Sequence, residues 1–317
     1  MITIALQGGL GNQLFQIFAV ISHAIDMRVQ FVFPESKLDT HSAGGAERPT
    51  YWNSILTKLN AFLTCIEFKC PVYVEKHFHY RPLPRLDRRH NLRLFGYYQS
   101  PKYFTNNYES IVKLLGLKEM RLDVMQKHFV NSQIRWRGDL LDKDEACLEA
   151  PGKESITFKY ISMHFRIGDY KAVEHRDAHP VLTCEYYKRA FESVLSSIKP
   201  ESENICVLYF CEKQDQEHVE QIIDTLMVEV AGGGVAFERV NYDIPDWEQM
   251  LMMSCCDHHI IANSSFSWWG AYLNPNQDRI VCYPDKWFGH ALPNHDTRAF
   301  LPGDWRRECC ANCVSCE

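Results

Sequence analysis

The first 34 residues show an apolar run, a glycine-rich turn, a helical pattern and a second apolar run, in that order. Met1–Leu6 is mostly apolar, which predicts a strand. Apolar side chains then recur at helical spacing between Gln13 and Asp26, which predicts a helix. Val29–Phe33 is a second predicted strand, ended by Pro34. Strand, helix and strand in this order are typical of an α/β unit with a parallel sheet.

The same alternation returns between Ile156 and Tyr283. Short apolar runs predict five strands in this half, over Ile156–Phe165, Ile205–Cys211, Val235–Val240, His259–Ala262 and Ile280–Tyr283. Helical patterns follow the first four of them, over Cys184–Ile198, Glu217–Val228, Trp247–Cys255 and Trp268–Leu273. Repeated strand–helix units predict a second parallel sheet.

A break in composition separates the two halves. Asp139–Ser155 carries an acidic run and then Pro151-Gly152, features that are typical of an interdomain linker. The 317 residues are enough for two domains of ordinary size. We therefore predict two Rossmann-like α/β domains, residues 1–150 and 151–317, with any ligand in the cleft between their sheets.

The charge balance excludes one class of partner. The formal net charge is −6, whereas a general nucleic-acid binder normally presents a basic face. A basic stretch between Arg81 and Arg93 is typical of a solvated face or loop.

No segment approaches the roughly 20 apolar residues that cross a bilayer, and Met1–Leu6 lacks the charged start and the cleavage site of a signal peptide. We therefore expect a soluble, cytoplasmic protein without a membrane span.

The chain has 13 cysteines, a large number for a protein without a secretory signal. Most lie in apolar runs, such as Cys206, Cys211 and Cys282, where a free thiol packs as a small hydrophobic group. We expect them to be reduced. The tail Cys309–Cys316 holds four thiols in eight residues. Because structural zinc sites usually draw ligand pairs from separated segments, a thiol-rich end is favoured here over a soft-metal site.

The candidate chemistry begins at Ile161–Tyr170, where an apolar run ends in His164, Arg166 and Asp169. Ligands of open α/β sheets bind beyond the carboxyl ends of the strands, and a guanidinium makes paired, charge-assisted hydrogen bonds with phosphate. Arg166 is therefore the candidate partner of a pyrophosphate. His164 is a candidate hydrogen-bond partner of a phosphate or ribose, with a purely structural histidine as the alternative. Three roles are open for Asp169: general base, orientation of Arg166, or a cap of the following turn.

The glycine-rich turn after the first strand is a second candidate site. Glycines such as Gly9 let the backbone approach a ligand closely, and amides at a helix start favour anions. Asn12 and Gln13 are candidate hydrogen-bond donors to a sugar or phosphate. The alternative is a tight turn without a ligand, in which Asn12 caps the helix.

A third candidate segment also lies between a strand and a helix. Asn263, Ser264 and Ser265 follow the apolar run that ends at Ala262, and their hydroxyls and backbone amides suit a phosphate. The alternative is a serine cap followed by two core tryptophans. Asp142-Lys143-Asp144 has the spacing of a metal-binding acidic pair, but it lies in the predicted linker, where a solvated charge run is favoured. We therefore expect a reaction that needs no metal.

Six segments together resemble the α-1,2-fucosyltransferase family, glycosyltransferase family 11, in the family's order and over nearly the whole chain. They are Gly8–Gln16, Gly96–Phe104, His164–Tyr170, His179–Tyr187, Ile261–Leu273 and Asp285–Phe288. The third is similar to the H-x-R-R-x-D motif shared with other fucosyltransferases. Arg166 stands at its first arginine, the one that the motif associates with the donor diphosphate, and Ile167 replaces its second.

The resemblance implies a GT-B fold with the acceptor on the domain of residues 1–150 and the nucleotide sugar on the domain of residues 151–317. It also implies an inverting galactoside α-1,2-fucosyltransferase with a GDP-fucose donor, a glycan acceptor, no metal and no cofactor. Because Ile167 removes one positive charge from the motif, two alternatives stand beside this function. One is the same fold with a different nucleotide-sugar donor, and the other is a non-catalytic relative that binds a sugar or nucleotide.

Overall fold

A computed structural model describes residues 1–35, 49–66, 69–85, 90–130, 158–198, 204–231 and 235–310. It divides the chain into two compact units. Unit 1 is Met1–Met120 with His290–Gly303, and unit 2 holds the described residues of Arg121–Gly289 and Asp304–Glu317. The predicted linker lies outside the described residues, so domains 1–150 and 151–317 remain predictions. Within the described ranges, no helix is both long enough and apolar enough to cross a membrane.

The described part of unit 1 contains five short strands, all paired in parallel. They are β1 (Ile2–Ile4), β2 (Phe33–Pro34), β3 (Leu63–Thr64), β4 (Val72–Val74) and β5 (Leu92–Phe95). β5 lies between β1 and β4, while β2 pairs with β3. A parallel bridge between Ile2 and Phe31 joins β1 to the segment before β2. The parallel pairing predicted for this half is confirmed.

The first helix of unit 1 begins at the glycine-rich turn. The helices are α1 (Leu10–Met27), α2 (Tyr108–Leu115) and α3 (Leu117–Met125), of which the last runs past the end of the unit at Met120. α1 starts three residues before the predicted Gln13, because Gly8 takes a φ of +73° and the extended Gly9 is the N-cap. A Cβ at Gly8 would collide with the Asn12 side chain, so the turn requires glycine there.

Unit 2 contains a six-stranded parallel sheet. Its strands are β6 (Phe158–His164), β7 (Asn204–Phe210), β8 (Val235–Arg239), β9 (His258–Ile260), β10 (Val281–Pro284) and β11 (Arg306–Glu308). Their order across the sheet is β8-β7-β6-β9-β10-β11, the arrangement of a dinucleotide-binding fold, with the direction of strand addition reversing between β6 and β9. Five of these strands confirm the predicted ones. The predictions missed β11 because Arg-Arg-Glu carries no apolar signal.

Helices of unit 2 cover this sheet. They are α4 (Val173–Arg176), α5 (Cys184–Leu195), α6 (Gln216–Leu226), α7 (Asp246–Ser254) and α8 (Ser265–Tyr272). Tyr186, Tyr187 and Phe191 of α5 are buried in one cluster with Ile161 and Met163 of β6. The α/β class and the two parallel-sheet units of the predicted GT-B type are thus confirmed. A cleft between the units as the active site remains a prediction.

The cysteines of the described ranges all carry free thiols, as expected for reduced residues. Cys206 and Cys282 are buried in the sheet of unit 2, and Cys309 and Cys310 follow β11 and are also buried. The rest of the cysteine-rich tail lies outside the described residues.

The neighbours of His259 in β9 determine which of its ring nitrogens carries the proton. His259 is fully buried, with Nε2 2.7 Å from the Asn274 amide nitrogen and Nδ1 2.7 Å from the Ser162 hydroxyl. The same amide nitrogen donates to the Cys256 carbonyl, so Nε2 of His259 accepts, and Nδ1 carries the proton and donates to Ser162. Burial lowers the pKa of His259 well below its usual value, and the ring is neutral.

The adjacent His258 predicts a loss of stability in mild acid. Burial, aided by Lys159 and Arg306, lowers its pKa from 6.5 to about 4, so below pH 6.5 the unfolded chain binds a proton that the folded chain does not. The free energy of unfolding should therefore fall as the pH drops from 6.5 to 4. His258→Asn keeps an acceptor for the Ile280 amide and should reduce this slope by about 1 kcal/mol per pH unit. Urea unfolding across this pH range measures both slopes, and identical slopes would contradict the assignment.

Candidate active site

The predicted site residues of unit 2 follow strands that end at one edge of the sheet. β6 ends at His164, β7 at Phe210 and β9 at Ile260. Because the strands are parallel and pair His164 with Phe210 and Met163 with Ile260, their carboxyl ends share that edge. The reversal between β6 and β9 is the position where open α/β sheets bind ligands.

Arg166 is held at this edge by two carboxylates and an aromatic ring. Its guanidinium lies 2.5 Å from Asp169 Oδ1 and also bonds Glu212 Oε1. The guanidinium carbon lies 5.0 Å from the centroid of the Tyr170 ring. Burial by itself would lower the pKa of Arg166, but Tyr170, Asp169 and Glu212 together raise it. Arg166 therefore keeps its positive charge, and Asp169 orients it through this ion pair.

Two acidic residues of the segment after β7, Glu212 and Asp215, complete this arrangement and were not among the predicted site residues. Glu212 pairs with Arg166. Asp215 is buried, accepts a hydrogen bond from the Gly168 amide at 2.8 Å and binds Lys171 Nζ at 3.0 Å. Gly168 takes a φ of +29°, a conformation that favours glycine. Their position just after a strand of the same sheet was the available signal.

Ile167 lies in the core. It is 3% exposed and belongs to the hydrophobic cluster that contains Ile161, Met163 and Phe165. These four side chains are alternate residues, so the two-residue period of β6 continues past the end of the strand. The position where the motif has its second arginine thus contributes packing in this chain, while Lys171 supplies a second cation in the next turn.

His164 is a neutral, buried imidazole. Its pKa is lowered to about 3, first by burial and then by the charge of Arg166. Nδ1 is buried and has no hydrogen-bond partner among the described residues, and the Tyr187 hydroxyl donates to the His164 carbonyl at 3.2 Å. The ring is therefore uncharged at neutral pH, and it can donate a hydrogen bond to a ligand or accept one from it.

Hydrogen bonds connect the segment 263–265 to other segments of the resemblance. Asn263 is buried, and its amide nitrogen donates to the Pro180 carbonyl at 2.9 Å and the Trp287 carbonyl at 3.3 Å. Ser264 is the N-cap of α8, as the alternative reading predicted, and its hydroxyl accepts from the Phe266 amide at 3.3 Å. Ser265 is the first residue of the helix and is partly exposed.

Aromatic rings connect the same segments. The Tyr170 ring stacks on His179, with centroids 4.9 Å apart and planes 17° apart, and His179 lies 5.7 Å from Phe288. The Tyr170 hydroxyl donates to the Asn263 carbonyl at 3.2 Å. Unit 2 therefore brings Arg166, Asp169 and Asn263 together with four of the six segments.

The predicted residues of unit 1 form a separate group around the glycine turn. Gly9 is the N-cap of α1, so Asn12 does not cap it, and a Cβ at Gly9 would meet nothing within 4 Å. The Asn12 side-chain oxygen Oδ1 accepts from Gln99 Nε2 at 2.7 Å, which joins the first two segments of the resemblance. Gln13 is buried, and its amide nitrogen donates to the Gly8 and Pro49 carbonyls. Ligand binding by these residues remains a prediction.

Comparison with known proteins gives the same family as the motifs. Residues 88–303 match the model described as Glycosyl transferase family 11. The O-antigen biosynthesis glycosyltransferase WbnK of Escherichia coli is 23% identical over 321 residues, which cover 89% of this chain and 93% of that protein. An alpha-1,2-colitosyltransferase of Escherichia coli is 23% identical over 311 residues, covering 89% and 91%. A mutant of Arabidopsis thaliana FUT1 in complex with GDP has a TM-score of 0.47, 9% identity and coverage of 89% and 70%.

Proposed function

Because this chain belongs to glycosyl transferase family 11 and is therefore a glycosyltransferase, we propose that it is an inverting α-1,2-fucosyltransferase. It moves L-fucose from GDP-fucose to a hydroxyl of a galactoside acceptor. The evidence for transferase activity is the family membership and the two relatives from Escherichia coli. The donor, the acceptor and the roles of individual residues belong to the proposal.

The observation that carries the proposal is the Arg166 guanidinium at the strand reversal of unit 2. Departure of a nucleoside diphosphate from a sugar leaves extra negative charge on the diphosphate, and a positioned guanidinium stabilises it. Asp169 orients Arg166, and Lys171 lies in the same turn. Charge on the leaving group is thus met by side chains of this chain, which supports a reaction without a metal.

The remaining residues take supporting roles. His164 is neutral and exchanges a hydrogen bond with the nucleotide. Ser264 and Ser265 present the start of α8 to the diphosphate, and Asn263 fixes the two loops beside it. Asp169 is committed to Arg166, so its role as a base for the acceptor hydroxyl requires that this ion pair opens. Gly9, Asn12 and Gln13 belong to the acceptor side of the reaction.

A donor panel tests this function. Purified protein is titrated by calorimetry with GDP-fucose and with other GDP-, UDP- and dTDP-sugars, then assayed for transfer to galactosides, with the linkage of the product determined by NMR. The proposal predicts tight binding of GDP-fucose and an α-1,2 linkage. Transfer from a UDP- or dTDP-sugar alone would contradict it.

A second candidate is a transferase with the same mechanism and a colitosyl donor. One of the relatives that match most of this chain is an alpha-1,2-colitosyltransferase, which is the observation that favours it. The same panel, extended by GDP-colitose, distinguishes the two donors by their kcat/KM values. A higher value for the colitosyl donor would replace the fucosyl assignment.

Substitution of Glu212 should raise the affinity for the donor. Arg166 is shared between Asp169 and Glu212, so a diphosphate that binds Arg166 must displace a carboxylate. Glu212 is the more exposed of the two, at 47% against 41%. Since an exposed ion pair contributes up to about 1 kcal/mol, Glu212→Gln should lower the Kd for GDP by about 2- to 5-fold.

The control for Glu212 is Glu174→Gln, which removes the same charge from the exposed first turn of α4. Calorimetry with GDP compares the three proteins. If Glu174→Gln tightens binding as much as Glu212→Gln, the gain comes from net charge and the displacement model is wrong. Weaker binding by Glu212→Gln would show that Glu212 assists the donor.

A further inference from the structure

Unit 1 exposes an apolar face on its edge strand. Val72 and Val74 of β4 are 53% and 47% exposed, and the register places Val74 beside Phe95 of β5, which is 41% exposed. Alternate residues of a strand share one face, and paired residues of neighbouring strands lie side by side. The three side chains therefore form one continuous apolar surface. Ile66, which precedes β4, is 64% exposed.

The other face of the same strands is core. Leu92 and Leu94 of β5 are buried, and the Tyr73 carbonyl of β4 accepts from the buried Tyr98 hydroxyl at 3.2 Å. One face of this sheet edge is thus packed in the core, and the other is exposed to solvent. Four of the eight large hydrophobic residues that are exposed in the described chain lie between Ile66 and Phe95. Contiguous exposed apolar surface of this kind marks an interaction site.

The described chain around these strands is basic. Between Lys69 and Arg93 its described residues include five cations, Lys69, Lys76, Arg81, Arg85 and Arg93, and one acid, Glu75, in a protein whose net charge is −6. Arg93 pairs with Val72 in the register, and Lys69 and Lys76 are exposed on either side of β4. The Glu75 carboxylate does not offset them at the surface, because it accepts hydrogen bonds from the Tyr97 and Tyr98 amides.

We propose that this face of unit 1 docks on the surface of an anionic lipid bilayer. A bilayer interface takes up apolar side chains and attracts the cations that surround them. A second copy of the chain would bring two basic segments together, and like charges oppose such a pairing. A nucleic acid would attract the cations, but it offers no burial to Val72, Val74 and Phe95. The proposal is independent of which sugar donor is used.

Vesicle sedimentation tests the proposal with the full chain. The protein is mixed with vesicles of phosphatidylcholine alone or with about 30% phosphatidylglycerol added, a composition that gives a negative surface potential. We expect preferential binding to the anionic vesicles, weakened as salt rises from about 0.05 M to 0.5 M because the charges are screened. Absence of binding to the anionic vesicles, or equal binding to both compositions, would overturn the proposal.

Variants then separate the two contributions. Val72→Ser, Val74→Ser and Phe95→Ser together should lower the partition coefficient about tenfold, and Lys69→Gln with Lys76→Gln about 25-fold, at roughly fivefold per cation. The control is Met227→Ser with Val228→Ser, which removes exposed apolar side chains from unit 2 and should leave binding unchanged.

The variants also test the competing occupant. If the control variant loses as much binding as the serine triple variant, the face is not the docking site. Sedimentation velocity without lipid provides the other check: a dimer that the triple variant abolishes would assign the face to a second copy and overturn the lipid assignment. Circular dichroism shows that each variant is folded, which is expected because the substituted side chains are exposed.

Discussion

Arg166→Ala is expected to lower kcat/KM for sugar transfer by about 10²–10³, the usual effect of removing one preorganised donor from a developing negative charge. The substitution removes the guanidinium that pairs with Asp169 and Glu212. The two carboxylates would then repel an incoming diphosphate, so donor binding as well as turnover should weaken. Initial rates over a range of donor concentrations measure both effects.

A matched control for Arg166 is Arg176→Ala. Arg176 is 62% exposed and contacts Asp177 at 3.7 Å, so its loss changes the net charge equally without touching the strand ends. We expect its activity to equal that of the wild type. Far-UV circular dichroism of both variants should match the wild type, because neither side chain belongs to the hydrophobic core. Wild-type activity in Arg166→Ala would refute the assignment of Arg166 to the diphosphate.

Ile167→Arg is expected to destabilise the fold by about 3–5 kcal/mol, because it places a charge in an apolar cluster without a partner. This substitution recreates the arginine pair of the motif, so it separates two models of the position. If the side chain at 167 faced the donor, the new guanidinium would raise donor affinity at little cost in stability. The buried position of Ile167 predicts the opposite result.

Chemical denaturation and donor titration of Ile167→Arg distinguish the two models. Ile167→Val is the control, and it should cost only about 0.5–1.5 kcal/mol because it removes one buried methyl group. A stable arginine variant with a lower donor Kd would mean that the segment turns its 167 side chain toward the ligand, and the assignment to the core would be wrong.

The sequence predicted the position of Arg166 and offered its orientation as one of three roles for Asp169, but it did not predict the contact with Glu212. An apolar run that ends in charged residues places Arg166 at a strand end without further information. Glu212 contacts Arg166, and Asp215 contacts Gly168 and Lys171, from the segment after β7. The pairing of His164 with Phe210 is what brings the two segments side by side. Strand register depends on packing across the whole sheet, which a local pattern does not contain.

The start of α1 was predicted wrongly for a local reason, and the burial of Ile167 was not predicted. Gly11 and Asn12 read as part of a turn, yet Gly8 and Gly9 complete that turn and the helix begins at Leu10. For Ile167, the information was present, since apolar residues alternate from Ile161 onward. The motif has an arginine at this position, whereas the alternation places it in the core.

The alternation along β6 has a consequence for redesigning this enzyme. Odd positions from Ile161 to Ile167 lie in the hydrophobic cluster, whereas the even positions His164 and Arg166 carry the polar groups at the strand ends. A directed-evolution library for new sugar donors should therefore randomise His164 and Glu212, and hold Arg166 and the odd positions constant. Few variants in such a library would then fail to fold.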